Sequence, residues 1–449
     1  MIKFSSILFL CLFSFVVSNA QGLFEMAEDS LNLANAMAQS NFSINGYTKG
    51  LVYGGAKNFD FSNAFAELSL TTEYENGDTY AFADFRLREG QFFASRETQL
   101  QLKEAYAGYK GRAFNVFVGN QIVSWGRTDA FNPTNSITPN SYFLLTDEVD
   151  DQRLSNFLVR SSVIITTGLN LEFIAIPIYK PSVYRYDLFN LQQPVTFSNV
   201  ENPDVTFSNA ALAAKASFEF PLVGFSLSYF NGFDPFYGFT VSSVDISTLN
   251  IQYTPKPYRK QAIGFDFDLP IKSTMFRGEV SLNLTNDYKE NMYIPNPDIY
   301  YVAAIERSVF GTTAIFQFIG RQVLDYNVLN RPVLLGYTPE DLMLYAEQTI
   351  YYESELYNRK VFTQQNEQNF ALMLLLSRQL FYEVVSVDLA GYYNLTTEER
   401  LTRLGVSWSI DDALSANFGF SIMKGPYETI FDLSGPVMNG AYIGVKASF

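Results

Sequence analysis

The sequence predicts an all-β fold: a transmembrane antiparallel up-and-down β-barrel of about eighteen strands, sixteen being the alternative, with short N-terminal and loop helices. Three observations carry that expectation. Segments alternate apolar and polar residues with period two, so each strand has one face for lipid and one for water. The connections between them alternate short and long, which segregates turns to one end of the sheet and loops to the other. No stretch approaches eighteen uninterrupted apolar residues after the N-terminus, yet the 449-residue chain is 47% hydrophobic and 16% aromatic.

In chain order, residues 1–20 read as a signal peptide. Lys3 is the positive start, Phe4 to Val17 the apolar core, and Ser18-Asn19-Ala20 the small-residue cleavage site. The one cysteine, Cys11, lies inside that segment, so the mature chain has no thiol chemistry. Residues 21–41 form a periplasmic leader. Within 23–39, Phe24, Ala27, Leu31, Ala34 and Ala38 recur at helical spacing, which suits either a plug in the barrel mouth or a cap on its end. Residues 42–449 are assigned to the barrel.

The hairpin over 63–88 shows the pattern well. Leu68 and Leu70 share one face and Glu67 and Ser69 the other, an Asn76-Gly77-Asp78 turn follows, and the return strand sets Phe85 and Leu87 against Asp84, Arg86 and Arg88. Further tight turns are expected near Gly111, Gly168, Pro221, Pro270–Ser273, Gly311, Phe381–Glu383 and Asp411. Longer loops are expected over 56–62, 89–97, 125–155, 178–208, 231–259, 287–297, 323–365, 394–399 and 424–439. Over 99–109 the alternation changes phase, which predicts a bulge near Glu104.

The same phase turns a set of charges inward: Arg160, Glu172, Lys215, Glu219, Asp266, Asp268, Arg277, Glu279, Glu306, Arg321, Asp388, Arg403 and Lys446. A basic side chain facing lipid at mid-depth costs about 2–4 kcal/mol, so these residues fix which face is wet. Their mixed signs predict a hydrated, partly filled lumen without extreme ion selectivity, and the acidic excess leans it toward cations.

Thirty-one basic against 46 acidic residues leave nothing to neutralise a run of phosphates, so nucleic acid is excluded as a partner. The absence of histidine removes Ser-His-Asp and Cys-His catalysis and histidine-bearing zinc sites. No catalytic residue, metal or cofactor is therefore expected. Asp147, Glu148, Asp150 and Asp151 cluster without the spacing of a calcium loop, and read as a solvated acidic run.

The last strand alternates Ala441, Ile443, Val445, Ala447 and Phe449 against Tyr442, Gly444, Lys446 and Ser448. It resembles the C-terminal strand of bacterial outer-membrane barrels, which implies that Phe449 is part of the signal read by the barrel insertion machinery. Leu102-Lys103-Glu104-Ala105-Tyr106, Val118-Gly119-Asn120-Gln121-Ile122-Val123-Ser124-Trp125-Gly126-Arg127, Ile137-Thr138-Pro139, Asp151-Gln152-Arg153, Leu171 to Pro177 and Lys180-Pro181-Ser182 form a second pattern. This region, about residues 100 to 182, is similar to porin-like outer-membrane barrels of Gram-negative bacteria. That largely uncharacterised family has some members that accompany the movement of hydrophobic molecules. Asn120 and Thr138-Pro139-Asn140 depart from the pattern, so the resemblance implies a barrel in the outer membrane without naming a substrate.

Trp125 at a strand end suits an interfacial belt, and Gly126 lets the chain turn sharply inward. The loop that follows either folds into the lumen, with Arg127, Asp129 and Arg153 at a constriction, or stays on the surface. Thr338-Pro339-Glu340-Asp341 starts a loop helix, whose Leu342, Tyr345, Ala346, Thr349 and Ile350 face predicts docking on the barrel rim or across its mouth. The favoured functional expectation is a channel through which small solutes diffuse. A gated conduit for hydrophobic cargo, suggested by Tyr184, Tyr186 and Phe189, and a structural or adhesive barrel are the alternatives. Outer-membrane lipid is the expected surrounding, and a homo-oligomer stays open.

Overall fold

The computed structural model describes residues 41–55, 61–93, 95–189, 195–245 and 250–449. The expected signal peptide and the leader helix over 23–39 lie outside the described residues.

Eighteen strands form one sheet. They are β1 (Phe42–Gly55), β2 (Phe61–Asn76), β3 (Thr79–Phe92), β4 (Ser95–Lys110), β5 (Phe114–Gln121), β6 (Asn156–Thr166), β7 (Leu169–Ile176), β9 (Ala211–Glu219), β10 (Gly224–Phe233), β13 (Arg259–Ile271), β14 (Thr274–Thr285), β15 (Asp298–Val309), β16 (Thr312–Val323), β17 (Gln368–Leu380), β18 (Val385–Asn394), β19 (Arg400–Ser409), β20 (Leu414–Lys424) and β21 (Gly440–Ser448). The intervening β8 (Val195–Phe197), β11 (Gly238–Asp245) and β12 (Asn250–Lys256) make a separate sheet of three strands. In the large sheet each strand pairs antiparallel with the next. β21 then pairs with β1 in a register that sets Lys49 opposite Lys446 and Leu51 opposite Gly444, so the sheet has no edge. Closure satisfies the backbone without water, the condition for crossing hydrocarbon as strands.

Period-two alternation sorts the side chains as the sequence predicts. On β2, Leu68 and Leu70 point outward and are exposed, while Glu67 and Ser69 point inward and are buried. On β21, Ile443 and Val445 face out and Tyr442 faces in.

All eight connections at one end are tight turns of two to four residues, at the expected positions. At the other end one expectation fails. β3 and β4 remain paired out to Phe92 and Ser95, so strand pairing runs through most of the loop expected over 89–97. There the outward positions Glu89, Gln91, Arg96 and Thr98 are polar, with Arg96 and Thr98 bonded across to Glu89, so the outer face loses its apolar rhythm and the strand is hidden from a pattern search. The bulge is present: Asp84 pairs Glu104 and Phe85 pairs Leu102, leaving Lys103 as the extra residue.

The long connections build a cap over the loop end. Phe143, Tyr186, Phe189, Tyr237, Phe239, Ile251 and Tyr253 form its apolar core, against which Tyr184 packs. The tyrosines and phenylalanine expected to line a hydrophobic conduit are therefore consumed in packing. Helix α1 (Pro339–Val361) starts with Thr338 in a full capping box, as expected. It docks differently: Leu342 and Tyr345 are exposed, and the contacts come from Ile350, Ser354, Tyr357 and Asn358. Two of these are polar residues that bond the three-stranded sheet, which an apolar-face search does not count. A second helix, α2 (Ile430–Met438), lies in the loop expected over 424–439, with Pro436 inside it.

Candidate functional site

Between β5 and β6, residues 122–155 leave the sheet end and cross the bore, touching walls on opposite sides. Gly126 adopts φ +103°, and a Cβ there would come 2.5 Å from the Glu279 carboxylate, so the sharp inward turn against β14 requires glycine. Glu279 receives that turn. Its Oε1 accepts from the backbone N–H groups of Arg127 and Thr128, both at 2.6 Å, and its Oε2 accepts from Thr134 Oγ1 at 3.0 Å.

Arg127 then spreads its guanidinium over three carboxylates from two strands. Nε donates to Asp266 Oδ1 at 2.6 Å, Nη1 to Asp268 and Nη2 to Glu219. Gly224 opposite offers no Cβ, which would sit 2.6 Å from Arg127 Nη1. Lys215 also approaches Asp266, at 3.9 Å. Asp129 pairs with Arg277 Nη1 at 2.7 Å, while Arg277 Nη2 reaches Glu306 at 2.6 Å. The local balance of Arg127 and Lys215 against Glu219, Asp266, Asp268 and Glu279 is acidic.

Trp125 is not at a membrane interface. It lies buried in the bore among Val123, Ile137, Leu158, Ile174 and Phe230. Its Nε1 donates to Glu172 Oε1 at 2.6 Å, and Arg160 holds the other Glu172 oxygen at 2.6 and 2.9 Å. An indole that finds an acceptor inside the bore has no need of the wet membrane boundary.

The other end of the loop is fixed to the opposite wall by acids expected to be solvated. Asp147 and Asp151 are instead buried around Lys49 Nζ, each at 3.1 Å, and Arg86 Nη1 binds Asp151 at 2.5 Å. Asn417 donates to Asp147 Oδ2 at 2.7 Å, Arg403 donates to the carbonyls of Thr146 and Asp147, and Lys446 pairs with Glu148 at 3.2 Å. The bulged Lys103 donates to the carbonyls of Asp151 and Arg153 at 2.8 and 2.5 Å. Burial alone would raise the Asp151 carboxyl, but Lys49 and Arg86 outweigh it and hold it well below the usual carboxylate range. Asp147 is likewise lowered, with Lys49 and Asn417 overcoming burial.

The remaining predicted residues are placed as follows. Arg88 is buried against Glu67 and Gln101 in the wall. Arg321 pairs with Asp298 at 2.5 Å, to which Gln364 of the helix loop also donates. Arg153 faces Asp150 at 3.2 Å, and Asp388 bonds Ser386 away from the crossing loop. Phe449 is exposed on the outer face, its backbone paired with Gly46. Lys49, Lys103 and Asn417 were missed as loop anchors, although the alternation of β1 and β4 already turned both lysines off the apolar face. Among the described residues no cluster of acidic side chains has the arrangement of a metal site.

These features define a class: a closed, single-chain barrel of eighteen strands with an inward-docked loop. Solved structures share the fold, among them the following three. OccAB3 of Acinetobacter baumannii is 10% identical, with 92% of this chain and 99% of that one covered and a TM-score of 0.53. OccK3 (OpdO) of Pseudomonas aeruginosa is 11% identical over 92% and 99%, with a TM-score of 0.53. OccK2 (OpdF) of Pseudomonas aeruginosa, in complex with glucuronate, is 9% identical over 92% and 98%, with a TM-score of 0.50. No protein-family model and no curated protein matches the chain.

Proposed function

We propose that the chain is a diffusion channel of the outer membrane for small hydrophilic solutes, exported through its signal peptide. The observation that carries this is the crossing loop: residues 122–155 bind inward-facing charges on opposite walls of a barrel whose outer face is apolar. Such a loop narrows a hydrated bore, and the charges on either side of it define what passes. Arg86, Arg127, Asp129, Arg160, Glu172, Asp266, Asp268, Arg277, Glu279 and Arg403 are then the narrowing group, with Arg88, Arg153, Arg321 and Asp388 flanking it. The acidic surplus around Arg127 favours weak cation preference. The fold shared with OccK2, solved with a sugar acid, agrees with a polar solute. The hydrophobic conduit loses its structural motive, because Tyr186 and Phe189 are buried in the cap.

Planar-bilayer recording of the refolded protein tests the proposal. Steady single-channel steps with weak cation selectivity in a salt gradient are expected. A folded protein that passes neither ions nor small polar solutes would overturn it.

A further inference from the structure

Beyond the crossing loop, toward the short-turn end, the inner wall formed by β3 to β6 lines an open cavity of about 300 Å³. Three aromatic rings line it. Phe117 meets Tyr80 at 5.8 Å and 77°, and Tyr106 at 5.7 Å and 78°; the two tyrosines lie 6.1 Å apart, tilted by 34°. These rings are half-buried on the inward face of a barrel whose other inward positions are mostly polar, so packing alone does not account for them.

Polar atoms with bonding capacity left over surround the rings. Arg160 spends Nε and Nη2 on Glu172, leaving Nη1 without a bond among the described residues. Glu104 uses Oε1 to accept from Ile122 N at 2.7 Å, leaving Oε2. A spare donor and a spare acceptor beside an aromatic platform match a ring with apolar faces and hydroxyl edges. The charge is balanced against anions: Glu172 neutralises Arg160, Glu75 pairs with Lys110, and Glu104 remains.

We propose that this cavity is a stacking subsite for a neutral, hydroxyl-bearing ring of about one pyranose. It deepens the channel reading by naming a solute class, and rests on that reading only for the route by which the ring arrives.

Binding is measurable without transport. The chain has two tryptophans, and Trp408 is on the outer face, so Trp408→Phe leaves Trp125 as reporter, coupled to Arg160 through Glu172. The folded protein in detergent is titrated with methyl α-D-glucopyranoside, glucuronate and sorbitol, followed by Trp125 emission and by calorimetry. Saturable glucoside binding in roughly the millimolar range is expected, at least tenfold weaker for glucuronate and absent for the acyclic sorbitol. Tyr106→Ala and the milder Phe117→Leu should each weaken it at least tenfold in folded protein. No glucoside binding, tighter glucuronate binding, or indifference to both substitutions overturns the subsite. Ion conduction without glucoside binding sinks the subsite alone; binding without conduction supports the subsite and sinks the channel.

Discussion

Arg127 Nε lies 2.6 Å from Asp266 Oδ1, joining the inward loop to a barrel strand 139 positions later in the chain. Asp266 also accepts from Ser226 Oγ at 2.8 Å, so the arginine inserts into a wall already ordered around that carboxylate.

Replacing Arg127 by Ala leaves Glu219, Asp266 and Asp268 facing the bore without their shared guanidinium, with Lys215 3.9 Å from Asp266 and Arg277 opposite Asp268 on the next strand. Loss of one partner from such a cluster costs about 3 kcal/mol. The expected outcome is a loosened loop, larger single-channel conductance and stronger cation selectivity, read from the reversal potential in a salt gradient.

At the opposite anchor, Lys49→Met leaves Asp147 and Asp151 buried with one cation fewer. Denaturant unfolding should show a loss of about 3–5 kcal/mol. The double substitution Lys49→Met, Asp147→Asn should recover part of it, whereas additive losses would mean that the two residues act independently.

Acid should release this anchor. Both carboxyls are depressed in the folded state below the ordinary 3.8, so their contribution is complete above the unfolded value and is lost as pH falls through the folded ones. Amide protection over residues 144–153, taken relative to the intrinsic exchange rate at each pH, should be constant from neutral pH down to about 5 and should fall progressively below about 4.

Asn358 clamps the backbone of Phe239 with two bonds of 2.8 Å, one to its N–H and one to its carbonyl. Asn358→Ala strands both groups in the cap core, a cost of about 2–3 kcal/mol. Faster exchange in α1 and β11, with the barrel strands unaffected, is the expected signature.

Charge on the outer face tests the lipid boundary. Leu70→Arg should destabilise the refolded barrel in bilayers by about 2–4 kcal/mol, while the inward neighbour substitution Thr71→Arg should cost far less. Equal effects would mean that the face assignment is wrong.

The fold was legible because closure imposes period two on every strand, and segregated connections give the strand number. The phase slip at Lys103 was readable for the same reason. What escaped depended on partners distant in sequence. Nothing local reveals that Asp147 and Asp151 meet Lys49, or that Trp125 finds Glu172 rather than a membrane boundary. Docking of α1 was missed because Ser354 and Asn358 bind by hydrogen bonds, and α2 because Gly435 and Pro436 are helix breakers. The β3–β4 connection escaped because a ribbon whose outer face turns polar has no hydropathic rhythm there.

Lys49 and Lys446 face each other directly across the junction of first and last strands. Like charges so placed oppose pairing. Asp147, Asp151 and Glu148 neutralise them, and all three belong to the crossing loop. The seam is thus latched from inside: the carboxylates that relieve its one like-charged pair come from the segment that fills the bore, so the closure of the wall and the occupation of the bore are held by the same ion pairs.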